Sequence, residues 1–386
     1  MSVSYIPQPV RMSLWLKAAG RCQYRGCNIP LWVDSLTQSE FNSAYIAHII
    51  ADSPDGPRGD AQLSEKLKAD FGNLMLLCDV HHRLIDKGNV DGHPEHLLRT
   101  MKRDHEKRIE QLTAIQENQR SHVLLYGANI GEAHPHLCMD KAQAAMLPDH
   151  YPFESRPIDL GMKNSAQKDS DPNFWKNERA NLLAQFSANV EQRLSAMEIR
   201  HFSIFGLAPM PLLVELGSLL SDIPAAEVYQ LHREPPNWKW QDEPAGFEYI
   251  VKEPENRRKN VSLNLSLSAT ISDERISQAM GDDRSAWTLT IANPNNDFLK
   301  GRGQLRQFRE KFRGLLDRIK AEHGEDSLIH IFPAVPVSVA IEMGRVRMPK
   351  AELPFRVYDH NRVSGGFVHA MDFGVQTVAG RERVTA

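Results

Sequence analysis

In the first third of the chain, apolar positions recur at two different periods. Tyr45, Ile46, Ala47, His48, Ile49 and Ile50 form an apolar run of strand length carrying one histidine, and residues 73–78 form a second such run ending at Cys78. Residues 12–19 are amphipathic, and residues 81–86 open a helix. Over residues 94–118, Leu97, Leu98, Met101, His105, Ile109 and Leu112 return at helical spacing, which predicts one long, highly charged helix. A stretch containing Gly, His and Pro over residues 121–157 is expected to connect an N-terminal domain, residues 1–120, to a second unit, residues 158–386.

The second unit contains a repeat. Residues 203–217 and 330–344 align without gaps at an offset of 127, so that Ile204/Ile331, Phe205/Phe332, Pro209/Pro336, Glu215/Glu342 and Gly217/Gly344 coincide. Each copy predicts a buried strand, a proline-containing turn and a short helix ending at glycine. Helical patterns over 174–198 and 302–323 precede the copies, and strand patterns over 227–231 and 355–358 follow them. Strands alternating with helices predict a parallel sheet in each half, and hence two doubly wound α/β units, about 158–282 and 283–375. Open α/β sheets bind ligands at the carboxyl ends of their strands. The turns 206–210 and 333–337 are therefore expected to face each other across a pseudo-symmetric crevice.

Length and charge narrow the partners. A chain of 386 residues calls for two or three domains. No apolar run is long enough to span a bilayer, and residues 1–21 lack a basic segment followed by an apolar core, so no membrane partner and a cytoplasmic location are expected. The net charge is −3, and residues 1–120 hold fifteen Lys/Arg against fifteen Asp/Glu. A nucleic-acid partner must then be held by a local basic face. Arg99, Lys102, Arg103, Lys107 and Arg108 offer one at helical spacing.

Three of the four cysteines lie in the N-terminal third among histidines, a pattern that favours metal over disulfide. Cys22 and Cys27, four residues apart across Gln-Tyr-Arg-Gly, and Cys78 and His81, two residues apart, make two ligand pairs suited to one structural zinc ion. Cys138 stands alone and reads as an ordinary thiol. His48 is suited to activating water near neutral pH, and phosphodiester hydrolysis also needs a divalent cation. The ordered set Cys-x4-Cys, Ala-His-Ile, Gly-Pro-Arg, Asn-Leu-x3-Cys-x2-His-His and Ile-Asp, over residues 20–87, resembles zinc-containing HNH endonucleases with the α+β ββα-metal fold. That resemblance implies His48 as general base, Asn73 as the residue fixing the loop that aims it, and His82 as a ligand of catalytic Mg2+ or Mn2+. Where many members carry Asp or His just before the base, this chain has Ala47. Asp86, one helical turn beyond His82, is therefore expected as the second ligand.

The repeat region resembles SAVED domains, which are two fused CARF-like Rossmann units that sense cyclic oligonucleotides in CBASS anti-phage systems. The residues that carry the resemblance are 330–336, 342–345, 357–359, and Leu231-His-Arg with Trp238-Lys-Trp240. It implies a cyclic di- or trinucleotide activator. Trp238, Trp240 and Tyr358 are expected to stack on bases, Arg345 and Lys252 to meet phosphate, Ser266 and Ser268 to supply hydroxyls, and Pro336 to shape the turn. The combined expectation is a double-stranded DNA endonuclease switched on by a cyclic oligonucleotide and forming a dimer or higher homo-oligomer on activation. Alternatives are a modification-dependent HNH restriction endonuclease with a C-terminal DNA-reading domain, and a zinc module that only binds nucleic acid.

Overall fold

The structure, a computed structural model, describes residues 4–162, 164–347, 353–361, 365–378 and 381–384. It forms two compact units, Met1–Glu117 and Asn118–Ala386.

In the first unit, helix α1 (Gln8–Lys17) starts behind Pro7. Strands β1 (Ala44–His48) and β2 (Leu74–Cys78) pair antiparallel, with His48 opposite Leu74 and Ala44 opposite Cys78. Helix α2 (Leu63–Leu67) lies in the connection between them. Helix α3 (Asp79–Arg83) leaves β2 without a loop and runs into one π-helical turn, Leu84–Gly88. Every residue of β2 is buried, which explains why it reads as an unbroken apolar run and not as an alternation. Leu14, Leu31, Ala47, Leu76, Ile85 and Leu98 form the core around it. The long helix, α4 (Glu95–Thr113), buries Leu98, Met101, Lys102 and His105, whereas Leu112 is exposed. Its apolar stripe thus meets the core only along the first half.

The second unit holds two large sheets and, among the described residues, a two-stranded one formed by Val375–Val378 and Arg381–Val384. The first uses β3 (Arg120–Gly127), β4 (Tyr151–Pro152), β5 (Ile158–Asp159), β6 (His201–Leu207) and β7 (Ala225–Val228) in the order β4-β3-β6-β7, with β5 also on β3 and every pairing parallel. Helices α5 (Met139–Met146), α6 (Phe174–Phe186), α7 (Gln192–Ser195) and α8 (Met210–Leu220) belong to this half. The second sheet uses β8 (Ile250–Lys252), β9 (Asn260–Ser266), β10 (Arg284–Thr290), β11 (Ile329–Ala334), β12 (Phe355–Asn361) and β13 (Gly366–Phe373). Its order is β13-β12-β11-β9-β10-β8, parallel inside and antiparallel at both edges. Helices α9 (Asp273–Met280), α10 (Arg302–His323) and α11 (Val337–Val346) complete it.

Three expectations need correction. Residues 121–157 are not a connector: β3 lies inside the first sheet, hydrogen-bonded to β6, because Val123, Leu124 and Leu125 are apolar enough to be buried on both faces. The halves divide between β7 and β8 and not at residue 282, since β9 and β10 pair within the second sheet. Gly217 and Gly344 do not end their helices, which continue to Leu220 and Val346.

What those glycines do is bring α8 and α11 together. A Cβ on Gly217 would lie 2.0 Å from the Ile341 carbonyl oxygen, and one on Gly344 would lie 2.0 Å from the Val214 carbonyl oxygen. Val214 and Ile341 are themselves related by the repeat offset, so the contact is reciprocal about a local two-fold. Gly217→Ala and Gly344→Ala are each expected to destabilise this unit by about 3 kcal/mol or more, because backbone cannot yield as a flexible side chain does. A Cβ at Gly314 on α10 meets nothing within 4 Å, so Gly314→Ala is expected to stabilise by about 0.5–1 kcal/mol. Urea denaturation of the three variants checks the contrast.

Candidate functional site

Four ligand-bearing side chains converge in the first unit. Gly26, at φ +86°, lets the chain turn back between Cys22 and Cys27. The Gln23 amide donates to Leu76 O (2.9 Å) and its side-chain oxygen accepts from Leu76 N (2.8 Å), docking this turn on β2. Cys78 caps α3 and His81 lies in its first turn. The Cys22, Cys27 and Cys78 sulfurs and one His81 nitrogen all lie within 4.8 Å of one another, and His81 Nδ1 stands 3.7 Å from Cys22 Sγ and 3.1 Å from Cys78 Sγ. Zinc held tetrahedrally by thiolate and imidazole sets sulfur–nitrogen separations of about 3.5 Å, so the donor set and its spacing fit one such ion. Burial pushes the Cys22 thiol up to about 12, with Cys78 and Cys27 adding like charge against backbone hydrogen bonds from Cys78 and Tyr24. A dication relieves that crowding. Tyr24 stacks on His81 at 4.0 Å between ring centroids. Cys138 is exposed.

At the end of β1, His48 is nearly buried and its Nε2 lies 2.9 Å from Lys68 O. A carbonyl only accepts, so Nε2 carries the proton and Nδ1 keeps its lone pair. The segment that carries the Lys68 carbonyl is tied down one residue earlier by Asn73, whose amide is fully buried: Oδ1 accepts from Ile50 N (2.9 Å), and Nδ2 donates to Ile50 O (2.8 Å) and Leu67 O (3.3 Å). One side chain thus ties the end of β1 to the loop that orients its histidine.

His82 stacks on Tyr45 of β1 at 4.9 Å, and its Nε2 lies 3.3 Å from Asp86 Oδ2. Burial lowers the His82 pKa against the opposing pull of Asp86, so the ring is neutral near pH 7. Asp86 turns Oδ2 to His82 and Oδ1 to Arg58. Its Oδ1 pairs with Arg58 at 2.8 Å, and among the described residues only the Cys22, Cys27, Cys78 and His81 set groups three or more His, Cys, Asp or Glu ligand atoms. Asp86 acts as a brace between Arg58 and His82. Arg58 also donates to Ile49 O (2.7 Å), Ile85 O (2.7 Å) and His48 O (3.5 Å), which links both histidines through one guanidinium. Its positioning part was not legible from the Gly-Pro-Arg motif, which shows the residue but not its contacts.

The expected basic face on α4 is largely engaged within the fold. Lys102 is buried beside Glu106 and lies 3.8 Å above the Phe71 ring, Arg99 pairs with Glu95 at 2.7 Å, and Arg108 donates to Asn28 at 2.6 Å. Arg103 and Lys107 are exposed.

In the second unit, a cavity of about 710 Å³ opens at the carboxyl ends of both sheets. Ala208, Pro209 and Met210 line it from the first repeated turn, and Val335 and Val337 from the second. Its volume lies in the range of small-molecule sites. Asp169 and Lys168 come from the segment before α6, and Asp359 comes from β12. Burial, with the like charge of Asp169 nearby, pushes Asp359 up to about 6.

Most of the expected ligand residues lie elsewhere. Trp238 is buried edge-on to Phe205, and Trp240 is half-buried with its Nε1 donating to Glu227 at 2.8 Å. Tyr358 stacks on Phe332 at 4.4 Å and its hydroxyl meets His330 Nδ1 at 2.9 Å. The Arg345 guanidinium is occupied by Ser221 O, Pro224 O and Glu342 at 3.0–3.1 Å. Lys252 is exposed on the edge strand β8. Ser266 donates to Asn264 inside the sheet, and the Ser268 amide donates to Ala334 O. Pro336 caps α11 between the two lining valines. The two repeated turns line the cavity as expected; the lining residues at 130–133 and 168–170 were missed because they sit on loops. The Gly- and His-containing stretch directly after the apolar strand at 123–125 was the available signal.

A double α/β unit with a cavity between repeated turns, at the carboxyl ends of its parallel strands, is an architecture in which small ligands bind. Residues 182–373 match the family model of SAVED, the SMODS-associated and fused to various effectors sensor domain. The chain has no significant match among curated proteins. Among solved structures it is similar to the Acinetobacter baumannii Cap4 SAVED/CARF-domain containing receptor with the cyclic trinucleotide 3'3'3'-cAAA, at 13% identity over 72% of this chain and 59% of that one, TM-score 0.43. It is similar to the same receptor with 2'3'3'-cAAA at 12% identity over 72% and 60%, TM-score 0.41. A third structure of that receptor matches at 12% identity over 81% and 65%, TM-score 0.40. This chain thus spans roughly three fifths of the receptor's length in the first two. No helix among the described residues is long and apolar enough to cross a membrane.

Proposed function

We propose that the chain is an effector of anti-phage defence, in which a cyclic oligonucleotide bound by the SAVED domain switches on an HNH-type DNA endonuclease at the N-terminus. The observation that carries this reading is the joining, on one chain, of a SAVED domain to a hairpin and helix that bear His48, Asn73 and His82 beside a Cys/His quartet. Cys22, Cys27, Cys78 and His81 hold structural zinc. His48 takes a proton from water at Nδ1, Asn73 keeps the carbonyl that fixes its tautomer, and Asp86 and Arg58 orient His82. His82 would hold a catalytic Mg2+ or Mn2+, which would supply charge stabilisation at the scissile group.

A nuclease unit with balanced charge and a partly engaged basic face grips DNA weakly alone. Ligand-driven self-association joins several such faces into one multivalent grip. Plasmid DNA incubated with Mg2+ is expected to be cut only when an activating cyclic di- or trinucleotide is added, with a rise in particle mass by light scattering. Equal cleavage without any ligand would remove the gating. Cleavage that follows DNA methylation and ignores every cyclic oligonucleotide would favour a restriction enzyme.

A further inference from the structure

A second cavity, about 680 Å³, lies beside the first at the carboxyl end of β3, and the two share Gly131, Glu132 and Lys168. Apolar side chains line part of each: Pro135, Leu137 and Met162 in the second, and Pro209, Met210 and Val335 in the first. The shared wall carries an ion pair, with Lys168 Nζ 2.6 Å from Glu132 Oε1 and both side chains exposed. Among the described residues that line either cavity, Lys168 is the one lysine or arginine. Carboxyl groups stand on both sides of it, Asp159 in the second cavity and Asp359 in the first.

We propose that Lys168 is a phosphate-binding residue of the sensor, holding one phosphodiester at the shared wall while the two bases it joins enter the cavities on either side. The proposal rests on the cyclic-oligonucleotide reading above and places that ligand in its site. A phosphodiester carries one negative charge and links two nucleosides whose bases have flat, largely apolar faces. Each cavity has the volume and the apolar lining for such a group, so the linker between two bases has to cross the wall between the cavities. At the wall it meets the ammonium of Lys168. Moved deeper into either cavity, the phosphate would approach Asp159 or Asp359 and be repelled. Glu132 holds the ammonium while no ligand is bound. An exposed pair of this kind is weak, and a phosphate that reaches the wall displaces the carboxylate readily.

The exchange needs only side-chain motion, because both loops are anchored without the ion pair. Asn129 is buried and donates to Ser165 O and Gln167 O, both at 2.8 Å, which fixes the segment leading to Lys168. The Lys168 amide donates to Asp171 at 2.8 Å. On the other side, the Gly131 amide donates to Asp169 Oδ2 at 2.8 Å, and Ile130 and Ala133 exchange backbone hydrogen bonds at 3.0 Å, closing the turn that carries Glu132. The ammonium and its competing carboxylate are thus presented from fixed backbone.

Calorimetric titration of the full-length protein with single-base cyclic di- and trinucleotides of A, C, G and U tests this, using the ligand that binds the wild type most tightly. Lys168→Met is expected to weaken that ligand by about tenfold or more, as loss of a charged hydrogen-bond donor does, and Lys168→Arg to keep most of the affinity. Glu132→Gln, which removes the competing carboxylate, is expected to tighten binding by about two- to fivefold. Both changes act through one contact, so Glu132→Gln should give little gain in the Lys168→Met background. Affinity should fall with rising salt, less steeply in Lys168→Met than in the wild type. The thermal transition of the second unit should stay in place in each variant, because the pair is exposed. Wild-type affinity in Lys168→Met, or a Glu132→Gln gain that is as large without Lys168, overturns the role of Lys168 while leaving the sensor reading intact. If Lys168→Met does not fold, Glu132→Gln decides alone: tighter binding supports the exchange, and unchanged or weaker binding overturns it. Failure of every ligand to bind the wild type overturns the sensor reading, and this placement with it.

Discussion

Replacing His48 by alanine is expected to lower DNA cleavage by about 10²–10⁴-fold, the usual range for loss of a general base. The fold specifies the tautomer of His48: Nε2 is committed to Lys68 O at 2.9 Å, and that carbonyl belongs to a loop tied down by Asn73. The ring nitrogen left with a lone pair is the one able to take a proton from water. The loss should appear in cleavage alone. Cyclic-oligonucleotide affinity belongs to the other unit, and zinc content depends on residues that His48 does not touch. Gel-based cleavage rates at saturating Mg2+ and activator, with calorimetry and metal analysis on the same preparation, check this. Wild-type rates in His48→Ala would remove the general-base role. A loss accompanied by missing zinc would mark a folding defect instead.

The larger effect on stability is expected from Cys78→Ala. Cys78 is a ligand in the proposed zinc site, the cap of α3 and the last residue of β2. The residues around it form a small unit with a modest core. Structural zinc in zinc-finger peptides contributes about 10–16 kcal/mol of apparent binding energy at pH 7, comparable to the whole stability of a typical domain. The variant should therefore lose its zinc and the melting transition of residues 4–117, while the transition of the second unit stays in place. Cys138→Ala, at an exposed cysteine remote from the quartet, should change neither. EDTA at concentrations that remove Mg2+ should stop cleavage before it disturbs the zinc site, because thiolate ligation is tighter. Retention of one zinc per chain in Cys78→Ala would disprove the assignment.

The two families of residues differ in how far the sequence reveals them. The quartet could be named in advance because each ligand pair sits on one turn, and such spacing survives translation into space with little dependence on the rest of the chain. His48, Asn73 and His82, at the end of β1, just before β2 and on α3, were named instead through an order of motifs that resembles HNH endonucleases. Asp86 shows the limit. It stands one helical turn from His82 as expected, but its pairing with Arg58, twenty-eight residues away and brought back by a loop, was not legible.

In the second unit the sequence by itself determined the class of fold. Period and repeat gave alternating strands and helices, duplicated turns and their place at the carboxyl ends of parallel strands, because these follow from burial patterns that the chain carries residue by residue. The tertiary structure alone decided what each side chain meets. Trp238, Tyr358 and Arg345 have the chemistry of a nucleotide site, yet an aromatic ring or a guanidinium serves a core or a buried ion pair equally well, and packing chose the core. Gly217 and Gly344 look like helix ends until the crossing of α8 and α11 shows that a methyl group would strike backbone. Glu178 looks like one more charge on an amphipathic helix. Only the closing of α6 over the sheet removes it from water, because solvation is set by everything that surrounds an atom and not by its neighbours along the chain.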